Sequence, residues 1–411
     1  MGSGCSASNG SNAPGNAQGG SSPFGSGGLG SANGGAVSGG GTTSGSNGGE
    51  NPFGGSGGTT GVSGAGGTIS DGGASGSSNG ATGGTSPSGG TGGASPAGGS
   101  GGAAGANTDG GNSSGGAAPT GDCPSTSLPV GESPIYTIMS ANGITYTYSI
   151  LVPPGYDPTK PTKTTIFWHA LTSNPAQTRS LTDIDQQAAN YGMIMVYPKS
   201  PDASWDAGGC CTQISGGKRR DETVFAKELI AQVESKVCVD KKRLYTTGFS
   251  NGGMLSHMFA CKMADVFAAS APASGALTIP EAQCTPSRPI PIYMINGTAD
   301  PLVPYSTASG IIGSISVTDT FANWGKLNGC TGTPVQTLMK GAVTCNTYQQ
   351  CSASTTATLC TVTGMGHCQP GMKAESATNC LTVNGIALGP PNNDIDGTQK
   401  SLEFLSQQSM P

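Results

Sequence analysis

From residue 135 onward the chain carries short apolar runs at intervals, with helical spacing between them. "TTIFWHA" (164–170), "YGMIMVYPKS" (191–200), "RLYTTGF" (243–249) and "PIPIYMINGTAD" (289–300) read as strands, and their apolar stretches are unbroken rather than alternating. Strands covered on both faces have that pattern. "IYTIMSANGITYTYSILVPPGYDP" (135–158) reads as two strands about an Asn142–Gly143 turn. "VFAASAPASGA" (266–276) and "ATLCTVTGMGH" (357–367) each read as a strand with the loop after it. In "DETVFAKELIAQVESKV" (221–237), Val224, Phe225, Leu229, Ile230 and Val233 recur at helical spacing. "NGGMLSHMFACKM" (251–263) and "TQKSLEFLSQQ" (398–408) are two further helices. Strands alternating with helices predict an α/β fold, a mainly parallel sheet with helices on both faces.

Residues 5 to about 121 have neither period. They are almost entirely Gly, Ser, Ala, Thr and Asn, with no strict glycine at every third position. Such a segment buries too little apolar surface to offset its ordering entropy. The chain therefore divides into a disordered Gly/Ser-rich linker or tether, 1–121, and one domain, 122–411. The second part is long enough for a single large core. The net charge is −5, which does not suggest nucleic acid or an anionic membrane surface as a partner. No stretch is long and apolar enough to span a bilayer.

Thirteen cysteines change the picture further. Twelve fall in the folded part and Cys5 stands alone in the tether. An even number suggests up to six disulfides and an oxidising compartment. No C-x-x-C element is present and there are only three histidines, so metal sites are not expected. Connectivity stays open, since twelve cysteines allow on the order of ten thousand pairings; the adjacent Cys210 and Cys211 are expected to bond different partners. The opening "MGSGCSASNG" suggests a removed signal peptide and a replaced start. Cys5 is then either the acylated first residue of a bacterial lipoprotein, anchoring the protein to a membrane, or a stray thiol. Its place where the tether begins favours the lipoprotein. Gly2 and Ser6 also fit a myristoylation pattern, but the twelve other cysteines argue against a cytosolic location.

The candidate chemistry centres on "TTGFSNGGML" (246–255), which contains Gly248-Phe249-Ser250-Asn251-Gly252. A bare G-x-S-x-G is cheap in a chain so rich in glycine and serine. Here it falls between a strand and a helix, where a sharp turn needs small residues on both sides and projects the serine hydroxyl. The Asn251 amide, at the helix start, would face a developing oxyanion. A serine nucleophile needs a base. His169 follows an early strand and His257 lies on the helix after Ser250, where a packed histidine is expected. His367, in "GMGHCQP", is left as the base. Asp300, at the end of a buried strand, would hold the imidazole. Asp202, Asp206 and Asp221 precede the nucleophile and read as surface or capping residues.

"VDKKRLYTTGFSNGGML", "INGTADPLVPY", "GMGHCQP", "LVPPGYDP" and "SWDAGGCC" together resemble the feruloyl esterases and polyhydroxybutyrate-depolymerase-like esterases of carbohydrate esterase family 1. The resemblance covers most of 135–405 and none of the tether. It implies an α/β-hydrolase fold, a secreted serine esterase acting through an acyl-enzyme, and a triad of Ser250, Asp300 and His367. The family's oxyanion loop, His-Gly-x, stands here as His169-Ala170-Leu171, which puts the second oxyanion donor on the Leu171 amide. Trp205 either lines the substrate cleft, in this family's manner, or is a core tryptophan, and Tyr305 is open in the same way. Gln369 replaces a tryptophan common in the family. Cys368, beside His367, is expected to be bridged and to pin the base loop. No cofactor is implied. The expected substrates are polysaccharide-linked or polymeric esters, feruloyl groups first, acetyl groups on xylan second and polyesters third, handled by a monomer. A carbohydrate-binding protein on an inactive hydrolase scaffold is the reading from another class.

Overall fold

The computed structural model describes residues 123–211, 219–306 and 313–411. The tether and Cys5 lie outside the described residues. In chain order the elements are β1 (Gly131–Glu132), β2 (Tyr136–Met139), β3 (Thr145–Val152), β4 (Thr162–Trp168), α1 (Pro175–Thr182), α2 (Ile184–Asn190), β5 (Ile194–Lys199), α3 (Glu222–Glu234), β6 (Val239–Phe249) and α4 (Asn251–Lys262). Then follow β7 (Ala269–Ala273), β8 (Ile292–Gly297), α5 (Val317–Leu327), β9 (Val335–Lys340), β10 (Val343–Tyr348), β11 (Ala357–Val362), β12 (Thr382–Val383), β13 (Ile386–Ala387) and α6 (Gly397–Ser406).

One sheet organises the domain, in the order β1-β3-β5-β4-β6-β7-β8-β11-β10-β9, with β2 paired to β3. The six central strands, β5 to β11 in that order, run parallel, and antiparallel pairs close both margins. Strand order reverses between β4 and β6, as it does in doubly wound sheets whose sites open at the carboxyl ends of the strands. Successive residues of one strand feed opposite faces. Ile166 and Trp168 of β4 join one core with Phe225 and Leu229 of α3, Phe259 of α4 and Trp324 of α5. Phe167 between them joins a second core with Ile184 of α2 and Leu402 and Leu405 of α6. Burial on both faces is why these strands read as unbroken apolar runs.

The expected strands and helices all occur. Helices α1, α2 and α5 and the marginal hairpin β9–β10 add to them. Strand β9 is almost wholly exposed, so its pattern carries no burial signal.

Six disulfides join the twelve cysteines of this part: Cys123–Cys238, Cys210–Cys211, Cys261–Cys284, Cys330–Cys351, Cys345–Cys360 and Cys368–Cys380. The expectation of different partners for Cys210 and Cys211 is overturned. The other ten pair elsewhere in the fold, and these two, both buried, bond each other.

Candidate active site

Four helices start on a side-chain cap. Asn174, Asp221, Ser316 and Asp396 each accept a hydrogen bond from an amide of the first turn. Helix α4 does not. Ser250 occupies its cap position with φ 57° and ψ −118°, and its side chain makes no cap. Instead Oγ lies 2.7 Å from His367 Nε2. Positive φ in a non-glycine residue costs energy and is held here by its surroundings. Ser250 N donates to Ala273 O at 2.9 Å, and Ser250 O accepts from Met254 N at 2.9 Å.

The flanking glycines are required by close approach. A Cβ on Gly248 would meet Gly252 C at 2.5 Å and Trp168 O at 2.7 Å. A Cβ on Gly252 would run into the Trp168 carbonyl, and one on Gly253 would meet Ala273 O at 2.7 Å. The start of α4 is thus wedged between the ends of β4, β6 and β7. The hydroxyl of Ser250 is left where the strands terminate.

His367 arrives on the loop after β11. Its amide donates to Leu388 O at 2.6 Å. Its Nδ1 lies 2.7 Å from Asp300 Oδ2. Asp300 follows β8, and its other oxygen, Oδ1, accepts from the amides of Leu302 at 2.8 Å and Val303 at 2.9 Å. Those two bonds aim Oδ2 at the imidazole. The pair is dry: the His367 and Asp300 side chains are 2% and 1% exposed. Water therefore does not compete for the bonds between them.

The loop after β4 carries His169, Ala170 and Leu171. His169 Nε2 accepts from Ser200 N at 3.2 Å, so Nδ1 carries the proton and donates to Ala170 O at 2.8 Å. Burial pushes its pKa down to about 4, which keeps it neutral. His169 O accepts from Trp205 Nε1 at 3.0 Å. Thr172 N donates to Ala203 O, at a φ of 60°. These bonds hold the loop so that Leu171 and Asn251 both border the same cavity as Ser250. His257 is buried on α4, accepts from Trp324 Nε1 at 3.0 Å and is pushed by burial down to about 3. It packs away from Ser250, as its place on the helix predicts.

Two expected substrate residues are not on the cavity wall. Trp205 is fully buried. Its ring packs edge-on against Trp168, and its backbone and indole nitrogen are all bonded to the site loops, so it is the core tryptophan. Tyr305 turns away because the chain after Asp300 runs down onto α5. Its carbonyl accepts from Thr318 N and its hydroxyl bonds the Thr361 hydroxyl.

The cavity has a volume of about 630 Å³. Its floor is Ser250, Asn251, Phe249 and His367. Another part is built from a hairpin absent from the expected elements: Leu381, Val383, Ile386 and Leu388 of "LTVNGIAL" line it. Asn384 and Gly385 have φ of 51° and 79°, both left-handed. An Asn-Gly pair between apolar residues was the available signal for that turn. The Cys368–Cys380 disulfide ties this hairpin to the His367 loop. Gln369 also borders the cavity, its amide nitrogen donating to Thr398 Oγ1 at 2.9 Å.

The sheet order, the Ser250 turn and the buried Asp300–His367 pair define the class: a domain of the α/β-hydrolase fold. Residues 146–303 match the family described as esterase PHB depolymerase. Feruloyl esterase B of Piromyces equi is 32% identical over 230 residues, 53% of this chain and 41% of that protein. The bifunctional acetylxylan esterase/xylanase XynS20E of Neocallimastix patriciarum is 30% identical over 146 residues, 35% of this chain and 20% of that protein. Feruloyl esterase C of Emericella nidulans is 28% identical over 194 residues, 46% and 64% of the two chains. The chain spans less than two thirds of the length of each of these relatives. The resemblance to feruloyl esterases and polyhydroxybutyrate-depolymerase-like esterases is shown by these comparisons.

Proposed function

We propose that residues 122–411 form a serine esterase domain cleaving plant cell-wall esters, feruloyl esters foremost. The observation that carries it is the unbroken chain Ser250 Oγ, His367 Nε2, His367 Nδ1, Asp300 Oδ2, with 2.7 Å at each contact. His367 takes the hydroxyl proton as Ser250 attacks the ester carbonyl. Asp300 holds the tautomer and offsets the imidazolium charge. The amides of Asn251 and Leu171 receive the oxyanion. His367 then protonates the leaving alcohol, and water repeats the sequence on the acyl-enzyme. The likeness to feruloyl esterases supports aromatic acyl groups. The likeness to a protein carrying acetylxylan esterase activity supports acetyl groups as the second substrate class, with polyesters third. The protein works as a monomer, with the tether 1–121 joined to the domain. Six disulfides support an extracellular location. Cys5 is the point of lipid anchoring.

Hydrolysis of p-nitrophenyl esters by the wild type and by Ser250→Ala tests the chemistry. Turnover that survives in Ser250→Ala overturns Ser250 as the nucleophile, and turnover absent from the wild type overturns the esterase and leaves the inactive-scaffold reading. Methyl ferulate, acetylated xylan and polyester film assayed side by side decide the substrate.

A further inference from the structure

The adjacent-cysteine disulfide lies in the wall of the cavity beside the proposed nucleophile. Cys210 and Cys211 both border it, and Cys210 Sγ is 3.9 Å from Asn251 Nδ2. Met254, on the first turn of α4, and Met372 add two more sulfur atoms to the wall.

The segment that carries the disulfide is held from several directions. Asn251 grips Trp205 at its start. Gly209 N donates to Thr278 O at 2.8 Å, and a Cβ on Gly209 would meet that oxygen at 2.5 Å. The Thr278 hydroxyl bonds Ala207 O. Cys211 is kept at φ 78°, a conformation that non-glycine residues rarely adopt. The two sulfurs are therefore held in the wall by the backbone and by each other rather than on mobile side chains, with Cys211 8% and Cys210 1% exposed.

The wall is chemically divided by element. Ser173, Gln177, Thr178, Ser180 and Thr182, from α1 and the turn before it, bring hydroxyl and amide groups. The 210–211 segment and α4 bring sulfur. Sugar hydroxyls require hydrogen-bond partners, which the α1 side supplies. Polarizable sulfur makes weak hydrogen bonds and favourable contacts with aromatic rings.

We propose that the Cys210–Cys211 disulfide is the platform on which the aromatic ring of the acyl group rests while its carbonyl is at Ser250. This deepens the aromatic-acyl reading above and rests on it. The disulfide acts in binding and takes no part in bond-making. It determines which acyl groups are turned over.

The test compares p-nitrophenyl ferulate with p-nitrophenyl acetate, which share a leaving group. In the double variant Cys210→Ser/Cys211→Ser, the ferulate-to-acetate ratio of kcat/KM is expected to fall about tenfold. A ratio equal to the wild type's overturns the proposal, whether both rates fall together or neither does. A crystal structure of Ser250→Ala with bound methyl ferulate supplies a readout that does not depend on the double variant folding. The ring is expected against the two sulfurs, and a ring seated elsewhere overturns the platform. Wild-type enzyme that cleaves the acetate and not the ferulate overturns the aromatic-acyl reading itself. An inactive wild type overturns the esterase reading.

Discussion

Asn251 grips the backbone of Trp205 on both sides. Its Oδ1 accepts from Trp205 N at 2.8 Å and its Nδ2 donates to Trp205 O at 3.0 Å. The residue whose amide is the proposed oxyanion donor thereby fixes, through its side chain, a tryptophan that in turn bonds the loop carrying the other proposed donor, at His169 O. Asn251→Ala keeps the amide and strands the buried Trp205 N–H, while Trp205 O still accepts from the Ala207 amide at 3.1 Å. We expect a stability loss of about 1–3 kcal/mol and a kcat loss of about tenfold to a hundredfold. Chemical denaturation and p-nitrophenyl acetate kinetics measure the two. A variant as stable and active as the wild type removes the coupling between the loops.

Asp300 is aimed by two amides, so its replacement need not move the loop. Asp300→Asn retains an acceptor for Leu302 N and Val303 N but cannot select the tautomer that accepts from Ser250. The expected outcome is a kcat reduced by about 10³–10⁴-fold with KM within a fewfold. Steady-state kinetics check it, and a loss below tenfold would falsify the assignment of the acid.

Two buried neutral histidines make the fold sensitive to mild acid. The folded-state values of His169 and His257, about 4 and about 3, lie below the ordinary 6.5. Below pH 6.5 the unfolded chain therefore binds protons that the native state refuses, and stability falls. Glu222 acts in the opposite sense. Burial raises it to about 7 against the pull of Arg220, so its contribution is present at low pH and lost as pH rises through that value. Between pH 6.5 and 5 the two histidines outweigh the one carboxyl. The net loss is on the order of 1.4 kcal/mol per pH unit. In His257→Asn one histidine and one carboxyl nearly cancel, so the slope flattens. Tm measured at pH 5.0, 5.8 and 6.5 for both proteins tests the sign; a wild type with higher Tm at pH 5.0 contradicts it.

The Cys368–Cys380 bridge joins the His367 loop to the hairpin that walls the cavity. The Cys330–Cys351 bridge ties the end of α5 to the segment after β10. Both close short loops, so each should contribute about 3 kcal/mol. Cysteine-to-serine pairs at the two sites are therefore expected to lower Tm comparably. Only the pair at 368 and 380 should cut kcat/KM, by tenfold or more. Equal activity in both variants disproves the special role of the bridge at His367.

Much of this molecule was legible in one dimension. Unbroken apolar strands such as "TTIFW" (164–168) announced a sheet buried on both faces. Gly248 and Gly252 around Ser250 announced the turn, because backbone approach forbids a Cβ there. Three histidines left little choice of base. The hairpin at 381–388 was equally legible, in Asn384–Gly385, and its place on the cavity was not.

The sequence by itself determined what depends on near neighbours: strand and helix period, the sharp turn at Ser250, and the chain order Ser250, Asp300, His367. Only the tertiary structure decided that Trp205 is enclosed while Leu381 and Ile386 face the cavity, that Tyr305 turns onto α5, and that Cys210 bonds Cys211. The walls of a cavity and the choice among twelve sulfurs depend on where distant segments meet. Those meetings exist only once the parallel strands have paired, with 117 residues separating Ser250 from His367.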